Sequence, residues 1–174
     1  VYTPLHGTGE MLARRALAQA GFDAVQVVEA QAVPDADFST VKSPNPENQE
    51  AFALAEELGR KVDADVLVAT DPDADRLGVE IRQPDGSYLN LSGNQIGAII
   101  AKYILEAHKT AGTLPENAAL CKSIVSTELV TKIAESYGAT MFNVLTGFKF
   151  IGEKIHEFET QHNYTYMLGF EESF

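Results

Sequence analysis

The chain has 174 residues, 45% of them hydrophobic and 22% charged, and no apolar run approaches the ~20 residues of a membrane span. A formal net charge of −12 argues against nucleic-acid and anionic-membrane partners, because both require a basic surface. The single cysteine, Cys121, excludes a disulfide framework and is typical of a protein of the reducing cytoplasm.

The first half of the chain alternates helical and strand patterns. The segment 31–48, rich in Pro, Asp and Asn, predicts an irregular connection whose length favours functional contacts. Strand and helix signals that alternate in this way indicate an α/β fold. The periodicities predict helices over 8–20 and 48–60 and strands over 24–28, 65–69, 77–81 and 88–91.

The second half repeats the alternation. An apolar stripe from Ile96 to Ile104, capped by Asn94, predicts a helix. Later patterns predict helices over 126–137 and 149–159 and strands over 118–122, 139–144 and 164–168. We therefore expect layered α/β sandwiches with one sheet in each half. The chain does not begin with Met, and no closing element follows its last turn, so both ends are expected to be cuts through a larger protein.

The most informative segment is a loop in which Asp71, Asp73 and Asp75 alternate with small or rigid residues directly after an apolar strand. Carboxylates gathered in this way repel one another unless a hard cation such as Mg²⁺ lies between them. Arg76 adds a fork of donors that suits a phosphate. An EF-hand is excluded, because its sixth and twelfth positions require Gly and Glu and here hold Arg76 and Arg82. A solvated acidic turn is the plain alternative.

A glycine-containing loop, Pro4 to Gly9, precedes the first predicted helix. Its amides and the helix N-terminus could receive an anion, although the loop lacks both the Walker lysine pattern and the dinucleotide-binding glycine spacing. The structural alternative is a tight turn in which Thr8 caps the helix. His6 by itself is more often a structural hydrogen-bonding residue than a catalyst.

Two segments of the second half carry possible chemistry. Lys149 follows the residues Thr146 to Phe148 where a strand ends and a helix begins, the edge at which open α/β sheets bind ligands. Apolar neighbours would suit this lysine to proton transfer, whereas the alternative is a surface lysine at a helix start. The residues Glu171 to Ser173 supply acceptors and a hydroxyl suited to sugar hydroxyls, or else form a solvated acidic turn.

Taken in order, the segments TPLHGTG, PNPE, ATDPDADR, GNQ, TGFKFI and GFEES closely resemble the α-D-phosphohexomutase superfamily, specifically its phosphoglucomutase/phosphomannomutase branch. The resemblance spans almost the whole chain, and the order of the motifs is highly specific. It implies two consecutive α/β/α sandwich domains with mixed sheets. Residues 1–92 would be the family's second domain, with the metal-binding loop. Residues 93–174 would be its third domain, with the sugar-binding loop, truncated at the C-terminus.

The resemblance also implies roles for individual residues. Those expected to bind Mg²⁺ are Asp71, Asp73 and Asp75, with a phosphoserine oxygen as a further ligand. The two expected to take part in catalysis are Arg76, beside the transferring phosphoryl group, and Lys149, as a general acid/base or phosphate contact. Those expected to bind substrate are His6, Thr146, Gly147, Glu171 and Ser173. Phe170 stands where many relatives have glycine, which leaves the sugar preference open.

The implied reaction is reversible transfer of phosphate between the 1- and 6-hydroxyls of a hexose. It proceeds through a phosphoserine enzyme, with glucose 1,6-bisphosphate as intermediate and activator. The TGFK and EES segments favour glucose. The resemblance implies two missing partners from the same chain. One is the family's first domain, with the nucleophile in a T-A-S-H-N-P-like loop, and the other is its fourth domain, which binds the other phosphate. This chain by itself is therefore expected to be inactive. Alternatives are a phosphomutase for mannose, glucosamine or pentose phosphate, and a non-catalytic module that binds Mg²⁺ or sugar phosphate.

Overall fold

The computed structural model describes residues 1–172, which fall into two units divided after Ser92. Unit 1 contains β1 (Tyr2–Thr3), α1 (Glu10–Gln19), α2 (Glu29–Ala32), the 3₁₀ helix Gln49–Phe52, α3 (Ala53–Val62), β2 (Val66–Thr70), β3 (Leu77–Arg82) and β4 (Tyr88–Leu91). Unit 2 contains α4 (Gly93–Thr110), β5 (Ala118–Ser123), α5 (Glu128–Ser136), β6 (Thr140–Val144), α6 (Phe148–Gln161) and β7 (Thr165–Phe170). None of the helices described is long and apolar enough to cross a bilayer.

Unit 1 is built on a mixed sheet in the order β1-β2-β3-β4. Strands β1 and β2 are parallel, whereas β2, β3 and β4 pair antiparallel. Side chains alternate between the two faces of the sheet, as the strand period requires. Leu67 and Ala69 are buried in a core with Phe52 and Ala55, so α3 and the 3₁₀ helix cover that face.

Two sequence predictions for unit 1 differ from the structure. In the predicted strand 24–28, only Val27 pairs, in a single parallel bridge with Tyr2, because β1 is two residues long and offers a short edge. Helix α1 is present, but none of its residues is buried, and Met11 and Leu12 remain 73% and 69% exposed. Its apolar stripe therefore contributes nothing to the core of unit 1.

Unit 2 is built on the order β6-β5-β7, and its three described strands are parallel. The central strand, β5, has helices on both faces. Leu120 packs with Ala101 of α4 and Val130 of α5, whereas Cys121 packs with Ile151 of α6. Burial raises the pKa of the Cys121 thiol to about 11, so the reactive thiolate form is scarce at neutral pH. The predicted α/β fold with two sheets is confirmed.

Candidate functional site

The aspartate loop, residues 71–76, joins the carboxyl end of β2 to β3. The N–H of Ala74 donates to the carbonyl of Asp71 at 3.0 Å, and the N–H of Asp71 donates to the carbonyl of Arg76 at 3.4 Å. Ala74 has a φ of 63°, in the left-handed region. The loop is therefore closed on itself by its own backbone.

Asp71 is the buried member of this loop. Its carboxylate, 1% exposed, accepts hydrogen bonds from the backbone N–H of Arg76 at 3.0 Å and from Nε of Arg76 at 2.8 Å. Burial acts to raise the pKa of Asp71, but these bonds and the charge of Arg76 outweigh it and hold the pKa below its ordinary value. Asp71 is therefore ionised at neutral pH and fixed in orientation.

The three aspartates of the loop form a carboxylate cluster. One oxygen each from Asp71, Asp73 and Asp75 lies within 4.8 Å of the others. Partial desolvation raises the pKa of the exposed Asp75, and the charges of Asp71 and Asp73 raise it further, so Arg76 offsets the repulsion only in part. Carboxylate oxygens at this spacing are ligands for a hard divalent cation, whose charge would remove the repulsion. The donor set therefore fits the metal expected from the sequence.

Arg76 borders a cavity of about 590 Å³ beside the cluster. Its Nε is engaged by Asp71, whereas its terminal nitrogens form no hydrogen bond with any residue that the structure describes. The hydrogen bond to Asp71 raises the pKa of Arg76 further, so it stays cationic. A fixed cationic fork on a cavity of this kind suits a phosphate group. The rest of the lining consists of Thr8, Phe38, Ser43, Pro44, Asn45, Asp71, Pro72 and Asp73.

The glycine loop, residues 4–9, packs against the aspartate loop and donates hydrogen bonds to it. The N–H and Oγ1 of Thr8 donate to the carbonyl of Pro72 at 2.8 and 3.1 Å. A Cβ at Gly7 would lie 2.4 Å from the Cα of Pro72, so only glycine allows this approach. The amides of residues 5–8 all donate within the protein, and the residue before α1 is Gly9. The amides of residues 5–8 are therefore already engaged by the protein, and Thr8 is not the cap of α1.

His6 ties the glycine loop to the irregular segment. Its Nδ1 lies 2.8 Å from the carbonyl oxygen of Val33, and its Nε2 lies 2.7 Å from Oγ1 of Thr40. Thr40 also accepts a hydrogen bond from Gln31, which in turn accepts one from Thr3. Both ring nitrogens are thus engaged by the protein, which supports a structural role, and substrate binding by His6 stays a prediction.

In unit 2, residues 145–147 join β6 to α6. Gly147, the N-cap residue of α6, has a φ of 124°, which favours glycine. Thr146 and Lys149 are both exposed, and Nζ of Lys149 lies 4.9 Å from the centroid of the Phe150 ring. The apolar surroundings expected for Lys149 are therefore limited to one ring, and its ammonium extends into solvent.

Glu171 and Glu172 follow β7 and turn toward the starts of two different helices. The Glu171 carboxylate accepts the N–H of Gly147 at 2.9 and 3.1 Å, at the end of α6 where the helix dipole favours negative charge. The Glu172 carboxylate accepts a hydrogen bond from Nδ2 of Asn94 in α4. Glu171 therefore lies with the predicted Gly147, whereas Ser173 is outside the described residues.

The contact between Asn94 and Glu172 is the feature of this region that sequence reasoning missed. Helix α4 begins at Gly93, so Asn94 is not its cap. Instead, Oδ1 of Asn94 accepts the N–H of Thr127 at 2.7 Å while Nδ2 donates to Glu172. These partners lie 33 and 78 residues away in the chain, so the segment GNQ was the only signal.

Family models match both units of the chain. Residues 1–84 match the phosphoglucomutase/phosphomannomutase alpha/beta/alpha domain II, and residues 92–174 match domain III of the same family. A phosphoglucomutase of Staphylococcus epidermidis is 40% identical over all 174 residues, which make up 31% of its length. A phosphoglucomutase of Staphylococcus aureus (strain USA300) is also 40% identical, over 30% of its length. The chain thus spans less than a third of the curated relatives it matches.

Solved structures share the fold. A phosphoglucomutase/phosphomannomutase family protein from Burkholderia thailandensis has a TM-score of 0.67 and 22% identity, over 90% of this chain and 31% of its own. The exocytosis-sensitive phosphoprotein pp63/parafusin of Paramecium, a phosphoglucomutase in its open form, has a TM-score of 0.65 and 22% identity, over 99% of this chain and 28% of its own. Because the two family models also cover nearly every residue, the chain belongs to the phosphoglucomutase/phosphomannomutase family.

Proposed function

We propose that this chain supplies the metal-binding and sugar-binding parts of a phosphohexomutase that interconverts hexose 1-phosphate and hexose 6-phosphate. The observation that carries the proposal is the convergence of Asp71, Asp73 and Asp75 beside Arg76 in a member of this family. The chain spans less than a third of its curated relatives, so catalysis is assigned to a longer protein that also supplies a phosphoserine and a clamp for the second phosphate.

Mg²⁺ is the cation proposed for the aspartate loop, held by the three aspartates. When bound, it supplies positive charge that stabilises the transferring phosphoryl group. Asp71 is buried and held by Arg76, so it acts as the fixed ligand. Asp73 and Asp75 are exposed, so their side chains would be free to turn toward the ion.

Arg76 is proposed to contact the phosphoryl oxygens. Its Nε bond to Asp71 orients the guanidinium plane, which leaves the terminal nitrogens as donors toward the adjoining cavity. A donor fork fixed before the reaction needs little reorganisation as negative charge develops on the transferring group. Asp71 therefore serves both the metal and the arginine.

Unit 2 is proposed to hold the hexose. Glu171 and Ser173 would accept hydrogen bonds from ring hydroxyls, with Thr146 and Gly147 beside them. Lys149, whose ammonium is exposed, would donate a proton to the departing oxygen or contact the phosphate, and as the neutral amine it would take the proton of the attacking hydroxyl. Glucose is the favoured hexose, supported by the TGFK and EES segments and by curated relatives named phosphoglucomutase. The lone, buried Cys121 supports a cytoplasmic location.

The test is a coupled assay of glucose 1-phosphate conversion by the product of the complete reading frame that contains this sequence. We expect activity that requires Mg²⁺ and traces of glucose 1,6-bisphosphate, and a loss of at least about 100-fold in kcat/KM for Asp73→Asn. Asp85→Asn, in an exposed turn of the same unit, is the matched control and should match the parent. Metal-independent turnover would contradict the metal assignment, and a preference for mannose phosphate would contradict the sugar assignment.

A further inference from the structure

Lys122 is a fully buried lysine in the central strand of unit 2. All six residues of β5 are buried, and Lys122 is 0% exposed. A buried ammonium is costly unless hydrogen bonds and an opposite charge surround it. Its Nζ donates to the carbonyl oxygen of Ser126 at 3.0 Å and to Oε1 of Glu128 at 2.9 Å. The charge of Lys122 therefore acts on the loop that follows its own strand, residues 124–127.

That loop holds the backbone at Glu172. Oγ of Ser126 accepts the N–H of Glu172 at 3.1 Å and lies 2.9 Å from Oγ of Ser123. Ser126 is 4% exposed, so water does not compete freely for these bonds. The carbonyl of Ser126 thus contacts Lys122, and its hydroxyl contacts the Glu171–Glu172 segment.

A second connection reaches the same segment through Asn94. This amide accepts the N–H of Thr127 and donates to the carboxylate of Glu172. In the sheet, Lys122 is also the register partner of Phe170, the residue immediately before Glu171. The contacts therefore form a closed ring at the carboxyl end of the parallel sheet, the end at which open α/β sheets bind ligands.

We propose that Lys122 is a positioning residue for the sugar-binding segment. Through Ser126 it fixes the backbone at Glu172, and it thereby sets the direction in which Glu171 presents its carboxylate to a hexose phosphate. Lys122 itself is buried, and its ammonium acts on the segment through the carbonyl of Ser126. The statement about the hexose phosphate rests on the proposed function, whereas the fixing of the backbone does not.

Loss of the backbone contact at Glu172 is expected to change KM and kcat in a characteristic way. Hydroxyl contacts from Glu171 stabilise the bound substrate and the transition state alike, so their loss raises KM and leaves kcat nearly unchanged. Loss of a catalytic residue would instead lower kcat. The ratio of the two effects therefore separates positioning for binding from a direct part in the chemistry.

Ser126→Ala is the first variant, because it removes the hydroxyl and keeps the carbonyl that Lys122 contacts. Lys122→Met is the second, because it removes the charge at similar length. In both, the Glu172 amide is expected to exchange with solvent at least about tenfold faster in NMR-detected hydrogen exchange. In the mutase assay of the complete protein, KM for glucose 1-phosphate is expected to rise about five- to tenfold with kcat within about twofold. Ser126→Thr, which keeps the hydroxyl, should restore both values.

The matched controls lie on α5 of the same unit. In Ser136→Ala, a hydroxyl that donates to the carbonyl of Ile133 is removed, and in Lys132→Met, an exposed lysine loses its pair with Glu135. Both controls should keep the parental exchange rate at Glu172 and the parental KM. They show whether any serine or lysine change in this unit has the same effect.

Parental exchange at Glu172 in either Lys122→Met or Ser126→Ala would overturn the inference. If Lys122→Met fails to fold, Lys122→Gln, which removes the charge and is too short to reach the Ser126 carbonyl, decides in its place. Faster exchange with a parental KM would also overturn it, because the segment would then be held without consequence for the substrate. A complete protein without mutase activity would overturn the proposed function instead, and the exchange rates alone would then decide whether Lys122 positions the segment.

Discussion

The aspartate loop of unit 1 and the Glu171–Glu172 segment of unit 2 are both acidic, but their charges are balanced in different ways. In the aspartate loop, Arg76 pairs with Asp71 and Asp75, and the pKa of Asp75 is raised by partial desolvation and by the charges of Asp71 and Asp73. In the other segment, Glu171 accepts the N–H of Gly147 at a helix start, and Glu172 accepts an amide of Asn94. The first arrangement would be completed by the cation proposed above, whereas the second is held by the protein.

This difference relates each region to a kind of ligand. A cluster with uncompensated negative charge gains most from a divalent cation, because the cation removes repulsion as well as forming bonds. Carboxylates that are already held by helix amides act as fixed acceptors, which suits the neutral hydroxyls of a sugar. The carboxylates of the two regions are thus proposed to serve two functions because their surroundings differ.

The largest expected effect on stability separates the members of the aspartate loop. Asp71→Ala leaves the backbone N–H and Nε of Arg76 without their acceptor, and without metal it should lower the free energy of unfolding of unit 1 by about 2–3 kcal/mol. Asp73→Ala removes an exposed carboxylate and should leave that free energy unchanged within error. Urea unfolding followed by tyrosine fluorescence measures both. Equal losses would show that Asp71 has no special structural part.

Glu80 is a carboxylate that forms no ion pair with any residue the structure describes. It is buried, its Oε1 is 3.5 Å from Nδ2 of Asn90, and its Oε2 has no hydrogen-bond partner in the described structure. Burial raises the pKa of Glu80 to about 7, and the charge of Glu56 contributes. The folded state therefore binds the proton more tightly than the unfolded chain, so stability is full below pH ~4.3 and falls as pH rises toward 7.

Glu80→Gln is expected to abolish this pH dependence. At pH 8 the variant should be more stable than the parent by about 2–3 kcal/mol, and at pH 5 the difference should shrink to less than about 1 kcal/mol. Glu57→Gln is the control, because Glu57 is exposed beside Lys61 and its pKa is lowered by that hydrogen bond. Urea unfolding at both pH values measures the difference. An equal gain at pH 5 and pH 8 would contradict a raised pKa.

The smallest expected effect lies at the start of α6. Ala at position 147 would have to keep a φ of 124°, so Gly147→Ala should destabilise unit 2 by about 1–2 kcal/mol. The nearest atom to the added Cβ is 3.7 Å away in Phe150, so the cost comes from the backbone. Gly152→Ala, within α6 and in open space, should stabilise by about 0.5–1 kcal/mol. Thermal unfolding that shows the same sign for both would contradict this account of Gly147.

The sequence predicted the aspartate loop because its geometry is local. Asp71, Asp73 and Asp75 are two residues apart in one turn, so their convergence follows from the spacing and the preceding strand. The contact between Asn94 and Glu172 joins residues 78 positions apart, and no local pattern indicates it. The long-range hydrogen bonds of unit 2 could therefore be identified only from the three-dimensional structure.

Burial was the other property that local patterns did not supply. Lys122 ends an apolar run, a position typical of a strand emerging into solvent, yet it is 0% exposed because the loop after β5 folds back over it. Met11 and Leu12 show the reverse, since a helical stripe predicts burial and both remain exposed. Periodicity indicates which residues share a face, and the neighbouring elements determine whether that face is covered.

The most direct test of the account is Mg²⁺ binding by isothermal titration to this chain, to Asp73→Ala and to the control Asp85→Ala. Asp85 is an exposed aspartate whose carboxylate accepts hydrogen bonds from Ser87 in a turn of the same unit. We predict binding by the chain and the control, and at least about tenfold weaker binding by Asp73→Ala, a difference of about 1.4 kcal/mol. Equal affinity in all three proteins, or no binding by the folded chain, would contradict a metal site in the aspartate loop.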